Sequence, residues 1–164
     1  MRAPIVSGSE IVHQNPWYRV RRDILTWPNG NPGQYFVTEF KGASCVICVR
    51  DGEILTVKQY RHTIERVTIE LPMGGMRTDD PLQTAKDELR EETGYTAKQW
   101  KKIGFMYGLK SACRMPFHIY TASELEAGPT KLDESEVDLQ AEWLPVQSWR
   151  SLIREGKIED AESM

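Results

Sequence analysis

One helix is the most strongly defined element of this 164-residue sequence, and segments with strand character surround it. Its apolar residues recur at the spacing that places them on one face of an α-helix: Leu82, Ala85 and Leu89. Asp80 is a suitable N-cap, Pro81 suits the first helical position, and Gly94 suits the residue just past the end. The sequence therefore predicts a helix over residues 81–93.

The strand-like segments are arranged as hairpins. Residues 17–25 alternate apolar and charged side chains, a turn-rich stretch follows, and residues 34–40 resume strand composition. Further strands are predicted at 43–50, 54–61, 66–71, 101–107, 116–122 and 141–146, and a last helix at 147–155. Because strands outnumber helices and follow one another at hairpin spacing, the sequence predicts a mixed α/β domain.

Composition and charge exclude several classes of protein. The net charge of -3 argues against a protein that coats nucleic acid through phosphate contacts. No apolar run approaches the roughly 20 residues of a membrane-spanning helix. Because no apolar segment follows Met1–Pro4 either, a secretory signal is not expected, and we expect a cytoplasmic protein that binds neither nucleic acid nor membranes.

Two cysteines, Cys45 and Cys48, form a C-x-x-C pattern inside a segment that is predicted to be a buried strand. Strand geometry points residues three apart to opposite faces of the sheet. We therefore interpret both as packing residues rather than as metal or redox ligands.

Four carboxylates crowd the second half of the predicted helix: Asp87, Glu88, Glu91 and Glu92. At about 100° per residue, the three glutamates cover one flank beside the apolar stripe. Such a flank is either an acidic solvated face or an oxygen-rich site for a hard cation such as Mg²⁺. Spacing alone leaves both interpretations open.

The residues around the helix favour the metal site. The segment from Glu70 to Gly75 leads into the helix, and the helix ends in Asp87-Glu88-Leu89-Arg90-Glu91-Glu92-Thr93-Gly94-Tyr95. Together they strongly resemble the box of the Nudix hydrolases, which holds divalent cations against a pyrophosphate. The resemblance implies Mg²⁺ or Mn²⁺ as cofactor, and implies these ligands: Glu88, Glu91, Glu92 and the carbonyl of Met73.

Other matches resemble the ADP-ribose pyrophosphatase branch: Gln59-Tyr60-Arg61, Asp80-Pro81-Leu82 and Asn15-Pro16-Trp17-Tyr18. In that branch an acidic loop after the box supplies a water-activating glutamate and a metal ligand, which implies Glu134 and Glu136 here. Glu91 and Glu92 are rivals for the catalytic base. The residues interpreted as substrate-binding are Arg61, Glu70, Trp17, Trp27 and Arg114. Each of the two tryptophans either stacks on a nucleobase or packs internally, and each of the arginines either contacts substrate or is a surface charge.

The fold that this resemblance implies is an α/β/α sandwich around a mixed β-sheet, with an amino-terminal β-hairpin subdomain. We assign residues 1–40 to that subdomain, for dimerisation and substrate contacts, and residues 41–164 to the hydrolase domain. The implied protein is a homodimer. The implied reaction is hydrolysis of a nucleoside diphosphate linked to another group, with ADP-ribose yielding AMP and ribose 5-phosphate.

The box departs from the family pattern at two side chains and in its length. Asp79 stands where the family has glutamate, Asp87 stands where it has arginine, and the loop before Asp79 is one residue short. These departures favour one alternative, a nucleotide-binding or regulatory module that hydrolyses weakly. A pyrophosphatase for another nucleoside diphosphate sugar or for a dinucleotide is the other alternative.

Overall fold

The computed structural model describes residues 1–132 and 136–164. The described chain divides into two compact units, residues 1–42 with 107–116 and residues 43–106 with 117–164. No helix among the described residues is long and apolar enough to cross a membrane.

Thirteen elements are found in the described part of the chain. In chain order they are β1 (Ile5–Gln14), β2 (Tyr18–Thr26), β3 (Pro32–Phe40), β4 (Ala43–Arg50), β5 (Glu53–Arg61), β6 (Arg66–Glu70), β7 (Met73–Gly75), α1 (Pro81–Thr93), β8 (Tyr95–Tyr107), β9 (Cys113–Arg114), β10 (Pro116–Ala127), β11 (Gln140–Pro145) and α2 (Val146–Arg154). This content confirms the prediction of a mixed α/β protein.

The first unit is built on a mixed sheet of order β1-β2-β3-β9. The predicted hairpin is β2–β3, antiparallel with Tyr18 opposite Phe40. Its turn closes through a 2.8 Å hydrogen bond from the amide of Gly30 to the carbonyl of Trp27. Gly30 has φ of +87°, a conformation that glycine adopts without a steric penalty.

Strand β1 is missing from the sequence prediction. It pairs with β2 through two register shifts, one between Val6 and Gly8 and one between Ile11 and His13. Each shift places an extra residue in the strand and reverses the inward–outward alternation. The segment consequently shows no continuous period of two, which is why its composition did not reveal a strand.

The second unit contains a larger mixed sheet of order β11-β5-β4-β10-β8, with β6 on β5 and β7 on β4. Strands β4 and β10 are parallel, whereas β4 and β5 form the second predicted hairpin. Its turn residues Asp51 and Gly52 both have positive φ, +53° and +82°, as a tight two-residue turn requires. Strand β8 begins directly after the helix, six residues earlier than the predicted strand at 101–107.

Helix α1 has the predicted bounds because local signals set both of its ends. One carboxylate oxygen of Asp80 accepts hydrogen bonds from the amides of Leu82 (3.0 Å) and Gln83 (3.1 Å). Gly94 ends the helix in the left-handed conformation, with φ of +72°. Ala85 and Leu89, on the buried face of the helix, belong to a core cluster. Its other members are strand residues: Val46, Cys48, Leu55, Tyr120 and Ala122.

Cys45 and Cys48 are both buried in β4, which confirms their interpretation as packing residues. Burial raises the pKa of the Cys48 thiol to about 12 and raises the pKa of Cys45 as well. Neither thiol is therefore ionised at neutral pH, and neither is a ready nucleophile.

Candidate active site on helix α1

Two carboxylates that the sequence marks as metal ligands are buried in the second unit. Glu88 has 7% of its surface exposed and Glu92 has 1%. They lie four residues apart, and so on the same side of α1, next to the stripe that Ala85 and Leu89 bury. Because isolated buried carboxylates are strongly unfavourable, this pair requires protons, hydrogen-bond donors or a cation.

One donor comes from the loop that precedes the helix. The amide of Met73 donates a 3.0 Å hydrogen bond to Oε2 of Glu92. The carbonyl of Pro72 accepts a 2.9 Å hydrogen bond from the amide of Val46, which ties the same loop to β4. Glu92 therefore anchors the β6–β7 connection, which also contains the Met73 carbonyl that was predicted to be a ligand.

Gly74 allows a close approach between this loop and the helix. A Cβ atom at this position would lie 2.3 Å from the carboxyl carbon of Glu88, closer than non-bonded atoms can come. Any other residue at position 74 would displace Glu88. The glycine of the predicted motif is thus explained by the position of the Glu88 side chain, a predicted ligand.

Burial and the charges around the site shift the pKa of Glu92. Its pKa lies well above the ordinary value, because of burial first and of the negative charges of Glu88 and Glu136 next. The Met73 amide and the charge of Arg61 act in the opposite direction. Three of the predicted ligands therefore share one region of negative potential.

Glu91 differs from the other two helix glutamates because it lies beside two arginines. Its carboxylate lies 3.6 Å from Nη1 of Arg77 and 3.5 Å from Nη2 of Arg90. Asp87, which stands where the family has arginine, accepts a 3.1 Å hydrogen bond from Gln83 and lies 3.6 Å from Arg90. Arg77, a loop residue that the sequence did not single out, thus brings a guanidinium group to Glu91.

These residues fit a divalent cation in chemistry but are not preassembled around one. Within residues 1–132 and 136–164, no group of three or more His, Cys, Asp or Glu side chains is placed as a ready metal site. The donors are nevertheless the hard carboxylate oxygens that Mg²⁺ prefers. Burial and the charges of Glu88 and Glu136 raise the pKa of Glu92, and a bound cation would offset the part that comes from those charges.

Arg61 and Glu70, both interpreted as substrate-binding residues, are brought together. Nε of Arg61 donates a 2.8 Å hydrogen bond to Oε1 of Glu70, and Nη2 contacts the second oxygen. The hydroxyl of Thr68 donates to Oε1 as well. Glu70 is 3% exposed, so its buried charge is balanced by Arg61, whose side chain remains 39% exposed.

The remaining substrate candidates belong to the first unit. Trp17 is exposed and lines a cavity of about 380 Å³ together with Arg114, Lys41 and Arg19. Trp27 packs against Gly33 of its own hairpin, where a Cβ atom would lie 2.1 Å from the indole nitrogen. Within the first unit, therefore, Trp17 and Arg114 share a cavity that Trp27 does not line.

The predicted catalytic base Glu134 lies outside the described residues, as do Asp133 and Ser135. Glu136 lies within them, and its charge reaches Glu92. Three residues near the site were not found from the sequence: Thr68, Arg77 and Ser163. None belongs to a motif. Thr68 contacts Glu70 within β6, whereas Arg77 and Ser163 contact residues in separate segments, which no local pattern marks.

Known proteins share both the sequence pattern and the fold. Residues 39–164 match the NUDIX domain family, and residues 6–38 match the nucleoside diphosphate sugar hydrolase N-terminal domain. An ADP-ribose pyrophosphatase of Bacillus subtilis (strain 168) is 39% identical over 113 residues, which is 66% of this chain and 61% of that protein. The chain thus spans less than two thirds of that relative.

Two further similarities cover most of the chain. An ADP-ribose pyrophosphatase of Mycobacterium tuberculosis (strain ATCC 25618 / H37Rv) is 31% identical over 155 residues, 92% of this chain and 75% of that protein. The crystal structure of an ADP compounds hydrolase has a TM-score of 0.85 at 17% identity, covering 99% of this chain and 89% of that chain. With the Nudix pattern matched over most of its length, the chain belongs to the Nudix hydrolase family and is related to the ADP-ribose pyrophosphatases.

Proposed function

We propose that this chain hydrolyses the pyrophosphate bond of a nucleoside diphosphate derivative, and that ADP-ribose, yielding AMP and ribose 5-phosphate, is its first candidate substrate. The observation that carries the proposal is the buried pair Glu88 and Glu92 beside the Met73 loop. The relatives named ADP-ribose pyrophosphatase support the choice of substrate.

Divalent cations, Mg²⁺ or Mn²⁺, are the proposed cofactor. Glu88, Glu92, Glu136 and the Met73 carbonyl are the proposed ligands, and Glu91 is a further one that Arg77 and Arg90 hold in place. When bound, such cations offset the charge of the pyrophosphate and acidify the attacking water. The acidic side chains of this site would repel the substrate by themselves, so they serve the cation rather than the pyrophosphate.

The proposed catalytic base is Glu134, with Glu91 and Glu92 as the rivals for that role. The Met73 amide holds Oε2 of Glu92, which leaves its other oxygen for a cation. Arg61 forms an ion pair with Glu70, so the exposed part of its guanidinium is the portion that would contact substrate. In the first unit, the Trp17 face is proposed to stack on the nucleobase, and Arg114 to contact a phosphate. A homodimer, with residues 1–40 contributing to its interface, remains part of the proposal.

A nucleoside diphosphate sugar is the second candidate substrate. It is favoured by the match of residues 6–38 to the N-terminal domain of nucleoside diphosphate sugar hydrolases. The two kinds of substrate share the pyrophosphate and differ in the groups attached to it. The helix site would act on the pyrophosphate of either substrate. Discrimination between the two substrates would come from residues outside α1.

A substrate panel tests the proposal. The chain is assayed with Mg²⁺ against ADP-ribose, UDP-glucose and a dinucleoside diphosphate, with nucleoside monophosphate release as the readout. Preferred release of AMP from ADP-ribose, lost on chelation and in Glu92→Gln, is the expected result. No release from any of the three, with Mg²⁺ or with Mn²⁺, would leave the weakly hydrolysing nucleotide-binding module as the better description.

A further inference from the structure

The short segment from Leu71 to Met73 runs from the end of β6 into the first residue of β7 and passes beside the buried Glu92. Pro72 has no amide hydrogen, so this segment has two backbone donors to satisfy. The amide of Met73 donates to Glu92. The amide of Leu71 donates a 3.0 Å hydrogen bond to the hydroxyl oxygen of Ser163, which lies 92 residues later in the chain.

Ser163 is held in place by its own surroundings. It is 3% exposed, and its hydroxyl donates to Oδ2 of Asp160. The amide of Ser163 also donates a 3.2 Å hydrogen bond to the carbonyl of Asp160. The chain just before Ser163 is fixed as well. Ile158 is buried, with 2% of its surface exposed, and Glu159 forms a 2.9 Å ion pair with Arg66 of β6.

We infer that Ser163, oriented by Asp160, is a positioning residue for the Leu71–Met73 segment and so sets the placement of the Met73 carbonyl and amide at the helix site. This inference rests on the proposed function, since the value of that placement depends on a cation at Glu92. It assigns to Ser163 and Asp160 a role in the reaction that acts through the Leu71–Met73 segment.

A change at Ser163 is expected to reach Met73 because the segment has an amide donor at each end. Both of these amides donate to side chains, those of Ser163 and Glu92. Removal of the Ser163 hydroxyl leaves the Leu71 amide buried without its acceptor, and the loop must shift to satisfy it. Because Pro72 restricts the backbone between the two amides, a shift at Leu71 is transmitted to Met73. Groups that orient metal ligands typically change metal affinity or activity about 10–100-fold when removed.

The experiment compares Ser163→Ala with Ser151→Ala, which removes a hydroxyl from an exposed position of α2. Wild type, both variants and Ser163→Thr, which keeps the hydroxyl, are assayed for kcat, KM and the Mg²⁺ concentration that gives half-maximal rate. We expect Ser163→Ala to lower kcat about tenfold and to raise the Mg²⁺ requirement, with little change in KM. Ser151→Ala and Ser163→Thr should remain near wild type.

A second measurement does not depend on activity. Amide hydrogen exchange in the metal-free protein should be faster at both Leu71 and Met73 in Ser163→Ala, and unchanged at both in Ser151→Ala. Asp160→Asn, which keeps the size of the side chain, should give the same changes to a smaller degree and serves if Ser163→Ala does not fold.

The outcomes separate this inference from the proposed function. If wild type is active and folded Ser163→Ala matches Ser151→Ala in kcat and Mg²⁺ requirement, the positioning role is wrong and the proposed function stands. If wild type releases no product, the proposed function fails, and the exchange data decide alone. Faster exchange at Leu71 without any change at Met73 would then overturn the inference, and faster exchange at both would support it.

Discussion

The amide of Met73 and Oε2 of Glu92 form a 3.0 Å hydrogen bond that joins the loop before α1 to the last turn of the helix. This contact gives one helix residue two roles, as an anchor for the loop and as a proposed ligand. A mutation of Glu92 is therefore expected to affect both the loop and the reaction, and the two effects can be measured separately.

Glu92→Gln should lower Mg²⁺-dependent kcat by about 100-fold or more, because it replaces a carboxylate that is proposed to bind the cation directly. The amide oxygen of glutamine still accepts the Met73 hydrogen bond, so the protein should remain folded by circular dichroism. Glu126→Gln, at an exposed position paired with Lys98, is the matched control. A kcat near that of the control would refute α1 as the metal site.

Glu134→Gln should lower kcat by about 10²–10⁴-fold, the usual contribution of a general base. Binding of Mn²⁺, measured by calorimetry, should change little, because the proposed role is proton transfer. The same substitution at Glu136 should mainly weaken metal binding. The reverse pattern in these two variants would exchange the roles of the two glutamates.

Arg61→Ala should destabilise the fold as well as raise KM. It leaves the carboxylate of Glu70, 3% exposed, without its cation. Loss of one partner from a buried pair costs about 3–5 kcal/mol, and the 39% exposure of Arg61 reduces our expectation to about 2 kcal/mol. Tm should fall by several degrees, since each kcal/mol corresponds to about 2–4 °C in a domain of this size.

The control for that substitution is Arg66→Ala, whose ion pair with Glu159 is exposed on both sides. Pairs of that kind contribute about 0–1 kcal/mol, so its Tm should stay close to wild type. A KM that rises about tenfold at constant Tm in Arg61→Ala would instead assign Arg61 to the substrate alone.

Divalent cations should raise Tm by several degrees over NaCl at matched ionic strength. A ligand at a hundredfold excess over Kd stabilises the native state by about 2.7 kcal/mol. The effect should disappear in Glu92→Gln, whose helix flank carries one charge less. An equal rise in Tm in wild type and in Glu92→Gln would show that the cation binds elsewhere.

Stability of the metal-free protein should depend on the protonation of Glu162. A hydrogen bond to Asp160, burial, and the charges of Asp160 and Glu70 raise the pKa of Glu162 to about 7 from its ordinary value of 4.5. Between these two values the folded state keeps a proton that the unfolded chain releases, so stability falls as pH rises through this window and is constant above it. Wild type and Glu162→Gln should accordingly differ in Tm by an amount that increases from pH 4.5 to 7. A difference that does not vary with pH would contradict the raised pKa.

The predictions from sequence succeeded where the determinants are local. The cap at Asp80, the left-handed Gly94 and the Asp51-Gly52 turn each depend on neighbouring residues, so both ends of α1 and the β4–β5 hairpin were predicted correctly. Strand β1 was missed because its register shifts interrupt the alternation that marks a strand.

At the candidate site, too, the features set by local sequence were predicted and the long-range contacts were not. The spacing of Glu88 and Glu92 placed them on one flank of the helix, and the structure buries both. The Arg61–Glu70 ion pair and the Ser163–Leu71 hydrogen bond depend on how separate strands and segments meet, which no periodicity encodes. Sequence patterns therefore identified the helix that carries the proposed chemistry but not the contacts that support it.

The two register shifts of β1 also have a consequence for solubility. In the described part of the chain β1 is the end strand of its sheet, and all ten of its residues are exposed. A long, regular strand in that position would be a template for pairing with strands of other molecules, the first step of fibril growth. Interruptions at Ser7 and Val12 break the regular row of donors and acceptors into shorter stretches. Restoring a continuous register by deleting both residues should therefore make the protein more prone to aggregate.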